Sequence, residues 1–174
     1  MQGEIVRALY DYGDWATNRV LDAAAGLTEE QWLALGGAGH GSIRDTLVHM
    51  VGTQKGWTSW WDGSLPAMEA YALSLDPADF PDADALRRAW AQVSAATRAF
   101  AAGLTGADLE RVYSTPVPNG MVFALPLWQM MVHVANHGTQ HRSEAAAMLT
   151  DFGRSPGDLD ALFFFDPVKP APAE

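Results

Sequence analysis

The chain has 174 residues, 48% of them apolar, enough for one domain with a substantial core. Its formal net charge of −10 argues against a broad basic surface for nucleic acid or anionic lipid, so small molecules or proteins are the expected partners. It has no cysteine, which excludes disulfides, thiolate catalysis and cysteine-ligated metal; any thiol chemistry would need the thiol as a substrate. No apolar run reaches the roughly 18 residues of a membrane span. Met1-Gln2-Gly3-Glu4 lacks the basic-then-apolar order of a signal peptide, so the expected location is cytoplasmic.

Periodicity predicts a first helix from Glu4 to Ala25, with Ile5, Leu9, Tyr12, Ala16, Val20 and Ala23 on its apolar stripe and Gly26 as its stop. The second helix has Ser42 as N-cap, with Asp45 where a capping box would place Glu or Gln. Ile43, Leu47, Met50, Val51, Trp57 and Trp61 carry its pattern, and Asp62-Gly63 ends it. The connection that follows, to Pro81, is long for a helical hairpin and leaves room to cross the molecule. A third helix is expected from Asp82, its N-cap, to Ala102, with Gly103 beyond its end. Val112-Tyr113 and Met121-Val122-Phe123 are β-prone and flank Asn119-Gly120, a hairpin signal; Pro116 and Pro118 would keep the hairpin short and at an edge. The fourth helix begins near Pro126 and reaches Thr150, with Gly153 past its end. Residues 1–166 then form one all-α four-helix bundle, and 167–174 an extended or frayed tail. The seven tryptophans and seven methionines read as core.

The fourth helix carries His133, His137 and His141. At about 100° per residue, His133 and His141 fall about 40° to either side of His137, whereas Arg142 falls near 140°, on another face. Two imidazoles one turn apart can hold one ion. His133 and His141 are about 12 Å apart along the axis, so only one neighbouring pair can share it. A third ligand must come from elsewhere, and the candidates are His49 and His40. His49 lies about 10 Å past the Ser42 cap; counted back from Thr150, His141, His137 and His133 lie at about 14, 20 and 26 Å. An antiparallel pairing of the second and fourth helices therefore matches His49 with His137 and His141. A parallel one would match it with His133 and His137. The long connection favours the first. His40, among glycines, reads as a loop residue. Gly52 and Gly56 beside His49 fit two readings, room for a ligand or close helix packing. Asp45 is a helix-start residue or a hydrogen-bond acceptor for His49. Glu144 reads as a base, a fourth ligand or a solvated residue.

The run His133-Val134-Ala135-Asn136-His137-Gly138-Thr139-Gln140-His141-Arg142 resembles the signature of the DinB/YfiT-like superfamily. So does Ser42-Ile43-Arg44-Asp45-Thr46-Leu47-Val48-His49; Tyr12 to Arg19 and Ser155 to Asp160 are similar to its first helix and C-terminal segment. The resemblance implies an up-down-down-up four-helix bundle, often a homodimer. It also implies a divalent metal, commonly nickel or zinc, on His49, His137 and His141. Many members have Arg-Gly-Gln after the last histidine where this chain has Arg142-Ser143-Glu144.

Three protein ligands leave a position open, as in catalytic metal sites. The resemblance favours transfer chemistry with a low-molecular-weight thiol, so a metal-dependent thiol S-transferase is the leading expectation. A metal-dependent hydrolase is one rival. A non-catalytic bundle that binds a small ligand or a partner is the other.

Overall fold

The computed structural model describes residues 2–116 and 122–166. Four long helices dominate: α1 (Gln2–Ala24), α3 (Ile43–Trp61), α5 (Ala83–Gly103) and α7 (Leu127–Asp151). Short pieces lie between and after them: α2 (Glu29–Leu33), α4 (Ala67–Ala72), a 3₁₀ turn at Pro77–Asp79, α6 (Gly106–Glu110) and α8 (Ala161–Phe165). The strands β1 (Val112–Pro116) and β2 (Val122–Pro126) pair antiparallel, with Val112 opposite Pro126 and Pro116 opposite Val122. The expected hairpin is therefore present, in longer strands than β-propensity alone marked. Its Asn119-Gly120 turn and the tail at 167–174 lie outside the described residues. No helix among the described residues is long and apolar enough to cross a membrane.

Two caps formed as expected. Ser42 Oγ accepts from the Asp45 N–H at 3.0 Å, and Asp82 accepts from the Ala85 N–H at 2.7 Å. Asp45 completes no capping box; its carboxylate accepts from Arg44 Nε at 2.8 Å. Gly103 belongs to α5, whose cap is Leu104. The connection after α3 is not structureless. It carries α4 and the 3₁₀ turn, and α4 lies on α3.

α1 packs on α5 and α7, and α3 packs on the same two. One apolar cluster joins Val20, Leu21, Ile43, Leu47, Leu86 and Leu149. The other joins Val6, Tyr10, Trp61, Ala101, Leu127 and Met131. The start of α3 thus shares a cluster with the end of α7, and the end of α3 with the start of α7. These two helices run antiparallel, the arrangement under which His49 meets His137 and His141. Between the clusters along the chain lies a polar contact: Thr58 and Thr97 hydroxyls are 2.8 Å apart, and Gln54 Nε2 donates to Thr97 at 3.3 Å. Burying these groups is tolerable because they satisfy one another.

The two glycines of α3 serve close packing. A Cβ on Gly56 would fall 2.5 Å from the Ala70 carbonyl oxygen, and one on Gly52 would fall 3.4 Å from Leu75. Any side chain at Gly56 would push α4 off α3. Trp32, the buried residue of α2, is tied to the far end of the same connection, its Nε1 donating to the Phe80 carbonyl at 3.0 Å.

Candidate metal centre

His49 comes from the second turn of α3, and His137 and His141 from the middle of α7. Their Nε2 atoms converge: His137 Nε2 is 3.2 Å from His49 Nε2 and 3.1 Å from His141 Nε2. Two nitrogens that each lie ~2.0–2.1 Å from one ion at the tetrahedral angle are about 3.3 Å apart. The two observed separations lie close to that value. As bare hydrogen-bond partners, three such nitrogens would oppose lone pairs without enough protons to separate them.

Glu144 settles the tautomer of one ring. Its Oε2 lies 2.6 Å from His141 Nδ1. A carboxylate only accepts, so Nδ1 carries a proton and Nε2 is the nitrogen turned toward His137. Burial pushes the Glu144 pKa up, but hydrogen bonds from Gln140 and His141 outweigh it and hold the group below the ordinary carboxylate value. None of its three sequence readings named the contact observed, in which the carboxylate orients the His141 ring. Glu144→Gln should weaken divalent-metal affinity about 10–100-fold, as loss of such partners does. Competition titration against a chromophoric chelator measures it, and unchanged affinity would remove the role.

Burial, then the nearby His40 and His141 rings, push the His49 pKa down to about 4 from an ordinary 6.5. Burial, then His141, His49, His133 and His40, push His137 down to about 4 as well. Both rings are neutral at pH 7, as ligands must be. In the unfolded chain they protonate near 6.5, so the unfolded state gains protons first as pH falls. The stability carried by the neutral rings is intact above that value and is lost as pH drops from about 6.5 through about 4. Metal-free protein should therefore show a falling thermal midpoint across this window. His49→Gln and His137→Gln should flatten the fall; an unchanged slope in both would contradict the assignment.

His40 is closer than a loop reading implied. Its ring stacks on His49, with centroids 3.8 Å apart at 26°, and lies 5.1 Å from His141. Ring nitrogens of His40, His49 and His141 all lie within 4.8 Å of one another, a grouping able to hold a metal ion. His137 adds a further ring, its Nε2 within 3.2 Å of both the His49 and the His141 Nε2. In sequence, His40 is an alternative third ligand but reads as a loop residue. The run Gly36-Gly37-Ala38-Gly39-His40-Gly41 has no periodicity, and only the packed fold shows where it leads.

His133 is exposed and packs edge-on against Trp57, with centroids 5.8 Å apart. It lines a cavity of about 370 Å³ with Trp57, Trp60 and Tyr71, on which His49 and His137 also open. Trp57 and Trp60, expected in the core, are only partly buried and form the wall of this cavity. Trp32, Trp61 and Trp90 are core. Arg142 faces away, as its helical angle required. It is buried, with Nη2 donating to Thr139 Oγ1 at 2.9 Å and its guanidinium 5.6 Å from the Tyr12 ring centroid.

The molecule is thus a mostly helical protein with a histidine cluster able to hold a metal ion. A family model described as the DinB family matches residues 1–171, and the chain belongs to that family. No curated protein matches it.

Proposed function

We propose that the protein is a divalent-metal-dependent enzyme, a thiol S-transferase, with His49, His137 and His141 as ligands and nickel or zinc as the ion. The observation that carries this reading is that His137 Nε2 lies 3.2 Å from His49 Nε2 and 3.1 Å from His141 Nε2, beside a cavity of about 370 Å³. Their donor set is all nitrogen, which suits zinc and nickel. A bound ion would lower the pKa of a substrate thiol and hold it as thiolate. The chain's own residues do the rest. His49 and His137 supply neutral donors, Glu144 holds a proton on His141 Nδ1, and Trp57, Trp60 and Tyr71 border the space where a substrate would lie. The absence of cysteine means that the sulfur comes with the substrate.

The four long helices are read as an up-down-down-up bundle. The end-to-end pairings support it: Tyr10 OH donates to the Met131 carbonyl near the start of α7, Arg19 reaches the Pro156 carbonyl beyond its end, and Arg87 at the start of α5 meets Asp22 at the end of α1. Assembly as a cytoplasmic homodimer is part of the same proposal, and light scattering checks the mass.

The test is consumption of small cysteine-derived thiols against a panel of electrophiles, with and without chelator, and ester hydrolysis run in parallel. Chelator-sensitive loss of thiol supports the proposal. Chelator-sensitive ester cleavage alone would make the protein a hydrolase. No chelator-sensitive turnover in either would favour a ligand-binding role.

A further inference from the structure

We propose that His40 is a fourth, displaceable nitrogen ligand, carried to the metal centre by the glycine-rich loop 36–41; this rests on the three-histidine reading above. The loop is held at defined points. The His40 N–H donates to Thr46 Oγ1 at 3.0 Å, and the Gly36 N–H donates to the Gly41 carbonyl. Gly39 has φ +67° and Gly41 φ +105°, conformations that side chains rarely adopt. A Cβ on Gly39 would also fall 2.3 Å from Thr46 Oγ1 and 3.2 Å from Glu144 Oε2, so the loop is laid directly on α3 and on the carboxylate that orients His141. The residue between those two glycines is aimed at the centre.

Ring geometry favours coordination over stacking alone. Two imidazoles on one tetrahedral ion have centroids about 5 Å apart. His40 and His141 are 5.1 Å apart, beside 5.2 Å for His49–His137, 4.9 Å for His49–His141 and a shorter 4.3 Å for His137–His141. The His40–His49 separation, 3.8 Å, is shorter, so His40 must tilt off the His49 face by about 1 Å to bind. An exposed loop with four glycines permits that movement. No hydrogen bond to the His40 ring is formed among the described residues, so it gives up none by moving. Four nitrogen donors would close the tetrahedral shell, as in structural sites, whereas catalysis needs one position free. Of the four rings, His40 alone stands on a loop. It is the one that an incoming thiol would displace.

The test uses the full chain loaded with one Co²⁺, whose visible absorption reports coordination, and 2-mercaptoethanol as the thiol probe. His40→Ala should weaken Co²⁺ binding about 10-fold or more, by the standard of lost site partners. It should also change the Co²⁺ spectrum, and the sulfur-to-cobalt absorption band should appear at about 10-fold lower thiol than in wild type. Thermal unfolding of the metal-free variant should match wild type because the ring is exposed. Identical affinity, spectrum and thiol response in His40→Ala overturn the proposal. His137→Ala separates the two ideas. If it loses Co²⁺ while His40→Ala behaves as wild type, only the His40 ligand falls. If wild type takes up no Co²⁺, both fall.

Discussion

Alanine at position 137 is expected to abolish stoichiometric uptake of a divalent ion. His137 Nε2 is the atom within 3.2 Å of both other Nε2 atoms, so its removal takes out the middle of the set. Losing an outer partner of a metal ligand costs about 10–100-fold in affinity, and losing a ligand costs more. Dialysed His137→Ala should therefore come off the column empty, with helical circular dichroism unchanged because alanine favours the helix. Metal analysis by mass spectrometry is the check. One ion per chain in the variant would remove His137 from the ligand set and leave His40, His49 and His141 as the site.

Trp90→Ala should cause the largest loss of stability. Trp90 is 2% exposed, and its Nε1 donates to Asp14 Oδ1 at 3.1 Å. The same carboxylate accepts from Ser94 Oγ at 2.7 Å and pairs with Arg98 at 3.2 Å, so Asp14 ties α1 to one face of α5. Truncating a buried tryptophan costs about 3–5 kcal/mol in lost burial and residual cavity. Against a total of about 5–15 kcal/mol, this lowers the thermal midpoint by roughly 6–20 °C. Trp90→Phe keeps most of the volume and should lose much less. A loss under about 1 kcal/mol in Trp90→Ala would mean that the neighbours collapse into the space.

The long helices were legible because each has several turns of periodic apolar residues, and two also have a side-chain cap, Ser42 for α3 and Asp82 for α5. Pattern alone did not reveal α2, α4, α6 and α8. Helices of five or six residues complete too few turns for a stripe to show. Two had capping boxes, Thr28 with Gln31 and Thr105 with Asp108, which mark a start but not whether the helix continues. The histidines of α7 were legible for the same reason as the helix, and His49 followed from axial distance once an antiparallel pairing was assumed. His40 was not, because a loop's end point is set by what it packs on, here Thr46 and Glu144. Trp57 and Trp60 look like core residues in sequence, and only the path of α4 decides that they face a cavity.

That path has a further consequence. Every candidate metal donor except His40 stands on α3 or α7, while Ala67, Ala70, Tyr71 and Leu73 of the cavity wall come from α4 and its C-cap. α4 approaches α3 closely where the Ala70 carbonyl lies over the bare backbone of Gly56. The cavity is thus walled from two sides, by Trp57, Trp60 and His133 of the helices that carry the histidines and by a segment that carries none. Changes at Ala67 or Tyr71 would therefore reshape one side of the cavity and leave the histidines in place, whereas Leu75 and Phe80 further along the same connection are held by the core.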